Sequence, residues 1–278
     1  MEQQDYRLLE EKAWRLRRHV IEMTAAAGSG HPGGSLSAAE IVTLLYFKTM
    51  RHDAQRPGWP ERDRFILCKG HAAPILYAAL AEAGYFPTEE LLTLRRLGSR
   101  LQGHPDMKVT PGVEASTGSL GQGLSLAAGL ALGLRLDQSP ARVFALLGDG
   151  EMQEGQVWEA AMLAAHYGLD NLVAFVDCNG LQIDGRVEEV MSHAPLREKL
   201  AAFNWAVFEC DGHDLTALDR TLGEALAVRG RPAVILAKTI KGRGCSFMEN
   251  QAGWHGKAPN AEQAAQALRE IDCRREEK

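Results

Sequence analysis

The spacing of apolar and polar positions divides the chain into segments of different character. Residues 5–27 are mostly helix formers and stop at Gly28, which predicts a helix with that glycine as its C-terminal cap. The glycine-rich stretch Gly28-Ser29-Gly30-His31-Pro32-Gly33-Gly34 reads as a loop, and a second helix is predicted from Ser37. There Ser37-Ala38-Ala39-Glu40 reads as a capping box, the hydroxyl and the carboxylate each accepting an orphan amide of the first turn. Further helices are predicted over about Ala72–Ala83, Glu89–Leu97 and Leu120–Leu136.

From there to the end, short apolar runs alternate with helix-length segments. Strands are predicted at Arg142–Leu147, Leu172–Asp177, Trp205–Cys210 and Pro232–Thr239. Helices are predicted at Gly155–Tyr167, Pro195–Phe203, Leu215–Val228 and, with Asn260 as cap, Ala261–Ile271. Such interleaving implies right-handed crossovers and an α/β fold: a doubly wound, mostly parallel sheet flanked by helices. The expectation is a single unit over residues 1–278, with a helical segment over about 1–60, a C-terminal helix over 260–272 and a frayed tail from Arg274 to Lys278.

At 278 residues and 45% hydrophobic the chain can bury a full core. Its formal charge of -5, without a long Lys/Arg run, gives no electrostatic reason to expect nucleic acid or an anionic membrane. Five cysteines (Cys68, Cys178, Cys210, Cys245 and Cys273), none closely paired, suit a reducing cytoplasm. Residues 1–20 are densely charged rather than an apolar signal core. The longest apolar run, Leu124–Leu134, is broken by glycine and too short to span a bilayer.

The chemistry concentrates at two predicted strand ends. Gly148-Asp149-Gly150 directly follows the strand ending at Leu147, and Asn179 directly follows the next one. Ligands of open α/β sheets bind at that carboxyl edge, where a carboxylate and an amide oxygen can converge on one hard cation. Flanking glycines let the backbone approach a phosphate closely. Alone, Gly-Asp-Gly is also an ordinary turn sequence.

With Asp177-Cys178-Asn179 it resembles the cofactor fingerprint of thiamine diphosphate enzymes. That resemblance implies thiamine diphosphate held through Mg2+, for which Ca2+ or Mn2+ could substitute, with Asp149, Asn179 and the Leu181 carbonyl as metal ligands. A buried diphosphate needs such neutralisation.

Five more motifs narrow the family: Ser29-Gly30-His31-Pro32-Gly33, Lys69-Gly70-His71, Gly103-His104-Pro105, Thr117-Gly118-Ser119-Leu120-Gly121-Gln122-Gly123 and Trp254-His255-Gly256-Lys257. Together they resemble transketolase from about residue 6 to 260, covering the first of the three domains that transketolases usually carry. The split form, in which this half is a separate chain, is the best match. The resemblance implies that His31, His71, His104 and His255 bind donor-sugar oxygens, touch the diphosphate or move protons. Imidazole, ionising near neutrality, suits that work. It also implies that Gly118, Ser119 and Leu120 face the aminopyrimidine, although Ser119 stands where many members have proline. Gly150 would contact the diphosphate, Ile183 would lie beside the thiazolium, and Glu154 would meet a glutamate of the other half. Lys257 would also reach the cofactor.

Family enzymes carry their activating glutamate on a second domain, for which no room follows His255. The resemblance therefore implies that the partner is a C-terminal transketolase subunit, in an α2β2 heterotetramer acting on sugar phosphates, with most phosphate-binding arginines on that partner.

Other polar residues have blander readings. His19, His52, His166, His193 and His213 read as structural or surface residues, Asp214 as a helix cap, and Lys238 and Lys241 as solvated strand-end lysines. The small-residue helix after Gly121 suits either a cofactor or close packing at a subunit interface. The diphosphate-binding half of a 2-oxo acid dehydrogenase or sugar-phosphate synthase remains an alternative, as does a non-catalytic subunit with a binding or regulatory role. Nucleotide binding is a weaker reading, because neither a Walker loop nor a dinucleotide glycine fingerprint is present.

Overall fold

The computed structural model describes residues 3–276, and the side chains of residues 5–274. In chain order the helices α1 (Gln3–Ala27), α2 (Pro32–Ser37) and α3 (Ala39–Leu44) precede β1 (Arg64–Leu67) and α4 (Ala73–Glu82). Next come α5 (Gln122–Leu136), β2 (Val143–Gly148), α6 (Gly155–His166) and β3 (Leu172–Cys178). A two-stranded hairpin of β4 (Leu181–Gln182) and β5 (Gly185–Arg186) leads into α7 (Val187–Met191) and α8 (Leu196–Ala202). The chain continues through β6 (Ala206–Asp211), α9 (Leu215–Ala227), β7 (Ala233–Lys238) and α10 (Ala261–Glu276).

The five-stranded sheet has the order β1-β2-β3-β7-β6, and every pairing in it is parallel. Alternation along each strand sends successive side chains to opposite faces. Phe65, Phe144, Phe175 and Ile235 pack with α1, α3, α4, α9 and α10, while Ile66, Ala145, Ala174 and Val234 pack with α5, α6 and α8. Both faces are covered, as the interleaved pattern predicts. Truncating a fully buried member such as Phe175 to alanine should cost about 3–5 kcal/mol. Among the described residues, no helix is long and apolar enough to cross a membrane.

Most predicted elements sit within a residue or two of their expected bounds, and three caps are as read. Asp214 accepts from the amides of Thr216 and Ala217, and Asn260 and Gln263 cap each other reciprocally. Gly28 takes a left-handed φ of 61° and closes α1.

Four readings are corrected. The second helix begins at Pro32, and Ser37 and Glu40 form no capping box. Ser37 instead donates to buried Asp177 at 2.6 Å, and Glu40 binds buried Arg17 at 2.6 Å, because buried charges claim these groups. Glu89–Leu97 is only a 3-10 segment, Thr88–Thr93, ended by Arg95 in a left-handed conformation (φ 60°). β1 has no counterpart in the sequence reading: four residues buried on both faces carry no period. Finally, α10 runs beyond Ile271, and Arg274 pairs with Glu249 at 2.8 Å instead of fraying; residues 277–278 lie outside the described residues.

Candidate active site

In register, the tips of β2, β3 and β7 bring Gly148 beside Asp177 and Cys178 beside Lys238. The cleft above them is lined by Asp149, Gly150, Asn179 and Leu181, with Lys69, His71, Leu120, Glu154, Ile183, Lys241 and His255 around it. Its volume of ≈ 710 Å³, open mouth included, is that of a cofactor site.

Asp149 is 4% exposed and caps the 3-10 turn Gly150–Gln153, accepting from the Gly150 amide at 2.8 Å and the Gly180 amide at 2.5 Å. The second bond ties the β2 tip to the loop holding Asn179. Burial and nearby Asp177 push the Asp149 carboxyl up to about 6, against the pull of those amides and of Lys241. A carboxylate so destabilised gains most from a cation. Asn179 Oδ1 accepts from the Leu181 amide at 3.1 Å, and the Leu181 carbonyl accepts from Lys241 Nζ at 3.1 Å. One carboxylate, one amide oxygen and one main-chain carbonyl on a single cleft are hard oxygen donors, and they fit a magnesium-type ion that shares a diphosphate. Gly150 keeps the floor low, since a Cβ there would meet Gln182 Cβ at 3.2 Å.

The four histidines named from sequence come together. The rings of His71 and His255 stack at 4.8 Å, and His31 stands 5.4 Å from the first and 5.5 Å from the second. His104 lies 6.2 Å beyond His31. His71 and His255 line the cleft, whereas His31 and His104 lie on the outer side of that pair. Burial, then Arg95, His104 and Lys241, push His31 down to about 4; burial, then Lys241, His31 and Lys69, push His255 down to about 3. His71 and His104 are lowered too, chiefly by burial. Neutral rings offer one donor and one acceptor each. Lys241 donates to His255 Nδ1 at 2.9 Å, which leaves the ring proton on Nε2.

Gly70 and Gly118 permit this convergence. A Cβ on Gly70 would meet the Gly118 amide nitrogen at 2.6 Å, and one on Gly118 (φ 141°) would meet His104 Cδ2 at 2.7 Å. Gly118 and Ser119 themselves do not line the cleft, whereas Leu120 does. Ile183 is 67% exposed at the rim, and Glu154 is also exposed there.

Several site residues escaped the sequence reading. Lys241, read as a solvated lysine, is 2% exposed inside the cleft, while Lys257 lies outside it with its ammonium over the Trp254 ring at 5.1 Å. Lys69, 1% exposed, is paired with Asp177, which also accepts from Ser37 and Thr239. Burial opposes ionisation of Asp177, but Lys69 and the hydroxyls hold it below the usual carboxylate range. Glu151 is buried and bridges two loops, accepting from the Gly121 amide at 3.1 Å and the Gly148 amide at 3.2 Å; burial pushes it up to about 7. Only the Gly-Asp-Gly-Glu adjacency could have pointed to Glu151; the Lys69–Asp177 pair spans 108 residues and has no local signal.

Residues 10–276 match the family described as transketolase, thiamine diphosphate binding domain. The chain belongs to the transketolase family. It is 45% identical over 264 residues to the 6-deoxy-6-sulfo-D-fructose transketolase subunit of Clostridium sp. (strain MSTE9), covering 95% of this chain and 96% of that one. It is 43% identical over 267 residues to an apulose-4-phosphate transketolase subunit from Actinobacillus succinogenes, covering 96% of each. The transketolase structure from Campylobacter jejuni superposes with a TM-score of 0.91 at 32% identity, over 98% of this chain and 43% of that one. The chain thus spans nearly the whole of two transketolase subunits and less than half of full-length transketolases, and its doubly wound fold is the thiamine diphosphate-binding fold of the family.

Proposed function

We propose that this chain is the N-terminal subunit of a two-chain transketolase, which moves a two-carbon ketol unit from a ketose phosphate to an aldose phosphate. The observation that carries this reading is the sharing of one cleft by two groups: the oxygen donors Asp149, Asn179 and Leu181, and a histidine cluster beginning with His71 and His255. A cation site alone suits many thiamine diphosphate enzymes. Several neutral imidazoles, extending outward through His31 to His104, suit a polyhydroxylated substrate.

Asp149, Asn179 and the Leu181 carbonyl would hold Mg2+, and Gly150 with the cleft floor would take the diphosphate. Bound thiamine diphosphate supplies an acidic ring carbon and an electron sink for carbon–carbon cleavage. The chain's own residues do the remainder. His255 offers Nε2–H to a substrate oxygen, with Lys241 fixing its tautomer. His31 and His104, neutral at pH 7, orient sugar hydroxyls and relay their protons, while Leu120 and Ile183 present apolar flanks to the ring system.

The partner is a chain resembling the remaining transketolase domains, and two copies of each chain make the assembly. Two relatives of this length, each named as one subunit of a transketolase, support that division. Five free cysteines suit a cytoplasmic enzyme. The test mixes the chain with its partner subunit, thiamine diphosphate, Mg2+, a ketose phosphate and an aldose phosphate. Ketol transfer should require both chains; turnover by this chain alone contradicts the split.

A further inference from the structure

On the outer side of the histidine cluster, away from the cation donors, lies a residue with no assigned part, Arg95. Its backbone is held in the left-handed region (φ 60°) by the bond from its amide to the Leu101 carbonyl at 2.8 Å. A non-glycine residue is strained in that conformation, and such strain often accompanies a side chain held in a fixed direction. Here the guanidinium lies over Gly103, where a Cβ would meet Arg95 Cζ at 2.9 Å. From there Nη1 donates to Ser29 Oγ at 3.1 Å and Nη2 approaches His31 Nδ1 at 3.5 Å. Only neutral acceptors hold it: among the described residues no carboxylate forms an ion pair with Arg95, which is exposed to solvent.

We infer that Arg95 is this chain's own contact for the anionic end of the sugar substrate, a phosphate ester or a sulfonate. The reading rests on the proposed ketol transfer and adds a substrate-charge requirement to it. The path fits: a carbonyl held near His71 and His255 leaves the far end of a short ketose passing His31 toward Arg95. The planar guanidinium, with donors to spare after Ser29, matches tetrahedral oxyanions through paired hydrogen bonds. The related subunits from Clostridium and Actinobacillus are named for sugars ending in a sulfonate and a phosphate respectively. Arg95 also helps hold His31 and His104 neutral, so its charge already acts on the substrate path.

Arg95→Met and Arg95→Lys variants of the assembled complex test this with three donors: a ketose phosphate, the same ketose without phosphate, and a ketose ending in a sulfonate. Arg95→Met should lower kcat/KM for the phosphorylated donor by about 10–100-fold, mostly through KM, and leave the uncharged ketose within about twofold. Arg95→Lys should recover part of the loss. An equal loss with the sulfonate marks a general oxyanion contact, and a loss confined to the phosphate marks a phosphate-specific one. Equal losses for charged and uncharged donors would make Arg95 a brace for the loop carrying His104, and would overturn the proposal. Calorimetric binding of the ketose phosphate to the full chain loaded with cofactor gives a readout independent of turnover. Unchanged affinity in Arg95→Met overturns the anion contact, whereas absent ketol transfer with that affinity lost overturns only the reaction.

Discussion

Two histidine-containing polar clusters share this fold and differ in what their hydrogen-bonding groups meet. In the first, behind the cleft, His213 gives Nδ1–H to Glu40 at 2.9 Å and accepts the Ile240 amide on Nε2 at 2.8 Å. Glu40 binds Arg17 at 2.6 Å, and Arg17 also donates to the Arg243 carbonyl at 3.2 Å. Within this cluster, Nη1 of the buried arginine is left without a hydrogen-bond partner. In the second, the rings of His31, His71 and His255 lie 4.8–5.5 Å apart with His104 6.2 Å from His31, and they make few bonds within the chain. A spent cluster fixes structure; an unspent one is available to a ligand. The two are joined through one segment, because Ile240 is anchored by His213 and its neighbour Lys241 reaches Leu181 and His255.

The contrast breaks most visibly if the open cluster behaves as structure. His31→Ala should lower ketol transfer by the assembled complex about a thousandfold, about 4 kcal/mol at the transition state, with the melting temperature nearly unchanged. A large loss of stability with little loss of rate would reverse the assignment. The closed cluster should do the opposite. Glu40→Ala leaves the Arg17 charge buried and unpaired and should cost about 3–4 kcal/mol in urea unfolding, far more than any exposed ion pair.

Acid should reach the closed cluster through the same residue. Burial opposes its ionisation, but Arg17 and His213 hold the Glu40 carboxyl at about 2, below its ordinary 4.5. Its contribution is therefore complete above about pH 4.5 and is lost as pH falls toward 2. Urea midpoints measured between pH 5 and pH 3 should fall more steeply for the native chain than for Glu40→Gln; parallel slopes would remove Glu40 as the cause. The smallest effect belongs to neither cluster: Asp214→Ala removes the cap of α9 next to His213 and should cost about 1 kcal/mol without moving activity.

The same contrast explains what the sequence could disclose. Long strands such as Leu172–Cys178 and Val143–Gly148 carry enough apolar residues to be read directly, and Asp149 and Asn179 gain meaning by following them. The histidines were legible because each sits in a glycine-rich motif that lets backbone and ring approach closely. Illegible were groups whose role is set by distant partners. Ser37 and Glu40 have the local grammar of a capping box, yet Asp177 and Arg17 claim them across the core. His213 reads as a bland loop residue until Glu40, 173 residues away, is placed beside it. Lys241 and Lys257 are alike as lysines, and only the path of the chain after β7 decides which enters the cleft. Arg95 was invisible because its aim depends on a left-handed backbone angle.

Asp149, with Asn179 and the Leu181 carbonyl, is proposed to grip a divalent cation bound to a diphosphate. Calorimetric titration of thiamine diphosphate into the assembled complex, with Mg2+ and then with chelator, measures it most directly in the native chain and in Asp149→Ala. Binding should be tight, should require Mg2+ and should weaken about a hundredfold or more in Asp149→Ala, with the fold intact by circular dichroism. Equal affinity in the two chains, or binding indifferent to Mg2+, would contradict the proposal.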